Sequence, residues 1–224
     1  MLAHNFFLRV YSPYMIKLFL DIETIPSADE EKEAHLSILR KRNSNSDKTD
    51  EEIHNGTNFE GTFGRICCIG LIKEGPQGVI FKDVLRGDEK EMLIKFWELS
   101  KDVWRFIGHN LWGFDLPFIY KRSIIHAVRP RELNFARYRN VPIYDTMQEW
   151  ELWNFGKGQK LDTLARVLGF KSPKDEMDGS MVWDYYKSGR IDAICRYCMK
   201  DVEVTRQVYK RMTFEEDTTS EIPF

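Results

Sequence analysis

The stretch Lys17–Ile25, KLFLDIETI, constrains this chain more than any other. Apolar residues alternate at Ile16, Leu18, Leu20 and Ile22, the period of a β-strand. Residues two apart on a strand point to the same side, so Asp21 and Glu23 present both carboxylates together. Two carboxylates held that close repel unless a cation sits between them. Oxygen-rich sites of this kind suit Mg²⁺ or Mn²⁺. A solvated strand tip is the plainer alternative, and one Asp-x-Glu pair does not separate the two.

The chain has 224 residues, 42% of them hydrophobic, which is ample for one α/β core and marginal for two. Its net charge of -2 supplies no bulk basic field. A long polyanion would therefore need local Lys/Arg patches or metal ions to offset its charge. Cys67, Cys68, Cys195 and Cys198 come without secretory context and read as reduced thiols in a cytosol-like, cytoplasmic setting. Cys195-x-x-Cys198 resembles half a zinc site. It falls mid-helix, however, and its only complement is an adjacent pair without finger spacing, which favours core or surface cysteines. No apolar run reaches the ~18 residues of a membrane span, so no membrane partner is expected. Residues 1–14 lack the features of a signal peptide and read as a flexible extension before Met15.

Further along, a helix is expected from about Ala28 to Lys41, capped by Ser27 or Asp29. The polar, Gly/Asn-rich residues 43–62 read as a mobile loop bordering a site. RICCIGLIK and VIFKDVL flank the turn EGPQG, a hairpin signal. Asp88-Glu89 open a helix, Trp104–Gly108 forms a short strand, and a helix bearing Asp115 continues to about His126. Another short strand ends at Asp145. LDTLARVLGF is an amphipathic helix with Asp162 as its expected cap, Met181–Lys187 a short helix, and Ile191–Met212 the last. The acidic residues 214–224 read as a frayed tail. The order predicts one domain over 15–213: a mixed central sheet, three antiparallel strands then parallel ones, with helices on both faces.

Three further positions can join Asp21 and Glu23. Asp115 lies five residues after Asn110, just past a strand end, in GHNLWGFDLPFI. In YCMKD, Tyr197 and Asp201 stand at i and i+4, on one helix face. Asp21, Glu23, Asp115 and Asp201 together can hold two divalent ions, the arrangement used for in-line displacement at phosphate. Tyr197 can orient a water by its hydroxyl.

DIET, then N-x4-D, then Y-x3-D resemble, in order and spacing, the three motifs of the Asp-Glu-Asp-Asp 3′–5′ exonucleases of the tyrosine subclass, which have a ribonuclease H-like fold. The chain looks most like stand-alone relatives of the proofreading exonuclease domain of family B DNA polymerases. FDLPFIYKR, LARVLGF, DGSMVWDYY and YCMKDVEVT add to the likeness, which covers about residues 16–212. Two departures stand out: the long loop, and Tyr144 where many similar sequences carry a His. The resemblance implies that Asp21, Glu23 and Asp201 bind the nucleophile-side ion. It implies also that Asp21 binds the second ion with Asp115 assisting through water, and that Tyr197 positions the attacking hydroxide. The cofactors would be two Mg²⁺ or Mn²⁺ ions and the products 5′-mononucleotides.

Several residues keep two readings. Asn110 can cap the helix carrying Asp115 or touch substrate. Phe114 and Trp112 can stack on bases or join the core. Thr24 and Ile25 would offer, by the resemblance, a backbone contact and an apolar wedge to the terminal nucleotide. Arg122 can reach a phosphate or, with Lys121, form a solvated helix face. His109 and His126 read as structural. The leading expectation is a 3′–5′ exonuclease on single-stranded or frayed DNA ends. The same chemistry on RNA or short oligonucleotides, and a non-catalytic binding module recruited by a protein partner, are the alternatives.

Overall fold

The computed structural model describes residues 15–42, 47–154, 156, 158–171 and 177–215. The 1–14 extension and most of the 214–224 tail fall outside them. In chain order the elements are β1 (Ile16–Ile25), α1 (Lys32–Arg42), α2 (Asp50–Asn55), β2 (Arg65–Gly75), β3 (Gly78–Arg86), α3 (Glu89–Leu99), β4 (Val103–Gly108), α4 (Asp115–Ile125), β5 (Ile143–Asp145), α5 (Thr146–Trp150), α6 (Leu161–Val167), α7 (Val182–Lys187) and α8 (Ile191–Met212). The five strands form one sheet in the order β3-β2-β1-β4-β5. β1 pairs antiparallel with β2, and β2 antiparallel with β3, while β1–β4 and β4–β5 are parallel. This is the mixed, helix-covered sheet of a ribonuclease H-like exonuclease fold.

The alternation of β1 sorts its side chains between two layers. Leu18, Leu20 and Ile22 enter the larger core with Met92, Leu93, Phe96 and Trp97 of α3 and Leu116, Phe118 and Ile119 of α4. Phe19 faces the other way, onto Val202 and Tyr209 of α8. Each large side chain fully buried in these layers contributes about 1.5–3 kcal/mol. Asp21 and Glu23 share the parity of Phe19 and so belong to the α8 side. There β2 carries Gly70 directly opposite Asp21. A Cβ on Gly70 would lie 2.9 Å from both Cys198 Sγ and Val202 Cγ2, so a glycine is what lets α8 approach the sheet this closely.

Three local expectations need correction. Residues 50–59 are not loop: α2 is followed by a 3-10 turn at Gly56–Phe59. A capping box starts α2, with Thr49 accepting from Glu52 N while the Glu52 carboxylate accepts from Thr49 N. Neither Ser27 nor Asp29 caps the helix that follows them; a 3-10 turn at Asp29–Glu31 leads into α1 with no side-chain cap. Asp162 does not cap α6 either: Lys160 holds that position, and Asp162 accepts from Arg166 Nε at 3.1 Å. At the chain's other end Glu215 is anchored, pairing with Lys17 and accepting from Tyr209 Oη. Among the described residues no helix is long and apolar enough to cross a membrane.

Candidate active site

Two helices, α4 and α8, converge beside β1. Asp21 and Glu23 face α8, with a register shift directly after Glu23. Asp115 opens α4, and its Oδ1 accepts from the Ile22 N–H at 3.1 Å, between the two acidic residues of β1. α8 contributes Tyr197 and Asp201, both buried on its sheet-facing side, and Tyr197 hydrogen-bonds to Asp201. Cys198 joins them: ligand atoms of Asp21, Glu23 and Cys198 lie within 4.8 Å of one another. The five residues expected at the centre of the site thus lie around β1, and of the four carboxylates Asp21 and Glu23 share the tight ligand group with Cys198 while Asp115 and Asp201 act on Asp21 through their charge.

Their electrostatics follow from burial and mutual repulsion. The Asp21 carboxyl is held well above the usual carboxylate range, first by burial, then by the charges of Asp115, Glu23 and Asp201. Burial likewise raises Glu23, helped by the thiols of Cys198 and Cys67 and then by Asp201 and Asp115. Asp115 is pushed up to about 8 by burial, although the backbone N–H of Ile22 pulls the other way. Tyr197 is held far above its ordinary value by burial and by Asp201, Glu23 and Asp21, so its hydroxyl stays protonated. A buried set of oxygen donors that repel one another fits a hard divalent cation.

The cluster opens into a cleft of about 290 Å³ lined by Asp21, Tyr197 and Asp201 together with His109, Met147, Gly158, Gln159, Lys160, Leu161 and Asp162. Sequence reasoning left the second group out of the site. The available signal was KLDTLAR, whose first three residues Lys160, Leu161 and Asp162 wall the cleft. His109 ties the end of β4 to that wall, with Nδ1 2.9 Å from Thr146 Oγ1 and Nε2 2.8 Å from Gln159 O. Burial lowers it to about 4, so it is neutral. Asp145 caps α5, and it also accepts from the Asn110 and Trp112 N–H groups at 2.9 Å, fixing the turn that leads to Asp115.

The peripheral residues divide. Asn110 has φ 60 and stands in that turn; no side chain caps α4, so its capping reading falls. Phe114 is half-buried against Phe118 at 5.5 Å between ring centroids. Thr24 is buried and donates to Asn58 O at 2.7 Å. Ile25 is 2% exposed and packs with Cys67, Met177 and Val182, which places its side chain in a core rather than at a surface wedge. Arg122 is neither a solvated residue nor a free phosphate ligand: it is 7% exposed and grips Glu89 through Nε at 2.9 Å and Nη2 at 2.7 Å. The Cys67-Cys68 pair does meet Cys195 and Cys198. All four thiols are free and buried, with Cys68 touching the other three.

A family described as predicted 3′–5′ exonucleases related to the exonuclease domain of PolB matches residues 60–222. The chain belongs to that family. The matched span contains Asp115, Tyr197 and Asp201, whereas Asp21 and Glu23 precede it and join the site through the pairing of β1 with β2 and β4. An uncharacterized protein of Methanocaldococcus jannaschii is 28% identical over 155 residues, which are 65% of this chain and 84% of that protein. Exonuclease domains of this family use divalent metals and act on nucleic acid.

Proposed function

We propose that this exonuclease belongs to the tyrosine subclass of the Asp-Glu-Asp-Asp enzymes. Its domain, residues 15–213, would remove nucleotides from the 3′ end of single-stranded or frayed DNA. One observation carries the reading: ligand atoms of half-buried Asp21 and of Glu23 lie within 4.8 Å of each other, with Asp115 and Asp201 as the further carboxylates that raise Asp21. Such a cluster is costly without cations and suited to phosphate chemistry with them.

Asp21, Glu23 and Asp201 would hold one Mg²⁺ or Mn²⁺, and Asp21 would share a second. Asp115 assists through water, in keeping with the commitment of its Oδ1 to Ile22 N. Bound ions supply an activated water and offset the charge that develops at phosphorus. Tyr197, protonated and hydrogen-bonded to Asp201, orients the attacking water along the line of the leaving oxygen. The water oxygen bonds to phosphorus as the bond to the 3′ oxygen breaks. That oxygen takes up a proton, leaving a shortened strand with a 3′-hydroxyl and a 5′-mononucleotide. Thr24 and Phe114, the sequence neighbours of Glu23 and Asp115, and Asn110 in the turn that leads to Asp115 would contact the terminal nucleotide.

The test is a time course with 5′-labelled single-stranded DNA and matched RNA, with Mn²⁺ or Mg²⁺ and with chelator. A metal-dependent ladder shortening from the 3′ end on DNA is expected. Faster cleavage of RNA would reassign the substrate, and no cleavage of either would overturn the proposal in favour of a binding module.

A further inference from the structure

A row of rings, Tyr138 exposed and Trp112 and Trp153 half-buried, lies beside the turn that carries Asp115. Trp112 and Trp153 meet edge to face with centroids 6.5 Å apart, and Tyr138 leans on Trp153 at 5.4 Å. The Arg137 guanidinium lies 4.5 Å over the Trp112 ring. Tyr138 is 66% exposed and neighbouring Leu152 85%, an unusual amount of apolar surface to leave in water. Residues 127–142 carry four arginines against one glutamate in a chain of net charge -2. Arg131 is taken up by the carbonyls of Ser100 and Val103, whereas Arg137 and Arg139 flank Tyr138 and supply the local positive charge that such a chain needs in order to hold a polyanion.

The row is joined to the cleft through both of its chain segments. Trp112 is three residues from Asp115, at most about 11 Å along the backbone, and its N–H is fixed by Asp145. Trp153 begins the segment whose far end, at Gln159, is held by His109 in the cleft wall. The backbone thus allows at most about three stacked nucleotides, at ~3.4 Å each, between Asp115 and Trp112.

We infer that Trp112, Tyr138 and Trp153, flanked by Arg137 and Arg139, form a stacking subsite for single-stranded nucleic acid, holding the bases on the 5′ side of the nucleotide in the cleft. This rests on the proposed exonuclease reading. Aromatic faces accept any base, and the guanidinium groups meet the phosphates between them. Glu149 Oε1 accepts from Trp153 Nε1 at 3.2 Å and steadies that ring.

The test is fluorescence anisotropy of the full chain with 5′-fluorescein oligothymidylates of 12 and 4 nucleotides, in EDTA so that nothing is cleaved. Tyr138 has φ 60, a backbone that Asn tolerates, so Tyr138→Asn removes the ring at little cost to folding. Wild type should bind the 12-mer about tenfold more tightly than the 4-mer. Tyr138→Asn should abolish most of that difference, and Arg137→Gln with Arg139→Gln should flatten the salt dependence by about 1.4 in log–log slope. A 12-mer affinity unchanged in folded Tyr138→Asn, an equal loss for both lengths, or no length preference in wild type would each overturn the subsite. Failure of wild type to hydrolyse DNA in the separate Mn²⁺ assay would count against the exonuclease reading alone.

Discussion

The acidic centres at Glu89 and at Asp21, both drawn largely out of water, are built on opposite principles. Glu89, at the start of α3, is satisfied from within. It accepts from Ile66 N at 2.8 Å, from Arg122 through two nitrogens, and from His126 Nε2 at 2.8 Å. The cluster at Asp21 has other carboxylates as its strongest charged neighbours. A structural carboxylate is buried with its counter-charge, whereas a working one is left for an ion from solution to complete. That contrast explains why Arg122, which the sequence offered as a phosphate ligand, belongs to the scaffold.

The largest effect should come from breaking the cleft cluster. Asp21→Ala is expected to lower the exonuclease rate by about 10³-fold or more while leaving the fold intact, since it removes a shared ligand and relieves repulsion. Single-turnover rates with circular dichroism check this. Arg122→Ala should do the reverse, destabilising by about 3–5 kcal/mol because Glu89 loses its guanidinium counter-charge and keeps only Ile66 N and His126. The rate per folded molecule should be retained, as urea melts and assays at low temperature would show. Tyr197→Phe should slow turnover by about tenfold, the worth of one oriented hydrogen bond, without weakening Mn²⁺ binding. An unchanged rate would make the tyrosine structural.

A smaller effect is the pH dependence of the metal-free protein. Asp115 titrates at about 8 when folded against an ordinary 3.8, and Asp21 and Glu23 are raised too. Between about pH 4 and 8 the folded state therefore binds more protons than the unfolded chain, so stability falls as pH rises through that window. Thermal melts in EDTA should give a lower Tm at pH 8 than at pH 5. A Tm that rises instead would contradict the repulsion argument.

The parts of the site that depend on local period were legible in the sequence. Asp21 and Glu23 share a strand side, Tyr197 and Asp201 share a helix face, and the bounds of α8 follow from its apolar stripe. What depends on long-range packing was not. The pairing of Arg122 and His126 with Glu89 joins two helices that no local pattern relates. The four thiols meet only because β2 lies under α8 at Gly70. α2 was hidden by a polar, Asn-rich composition, although Thr49-Asp50-Glu51-Glu52 spelled its capping box.

The most direct test of the contrast is calorimetric titration of the chelated protein with Mn²⁺ at pH 7.5, comparing wild type, Asp21→Ala and Glu89→Gln. The account predicts about two equivalents bound in wild type and in Glu89→Gln, and loss of both in Asp21→Ala. Equal binding by wild type and Asp21→Ala, or none by wild type, would contradict it.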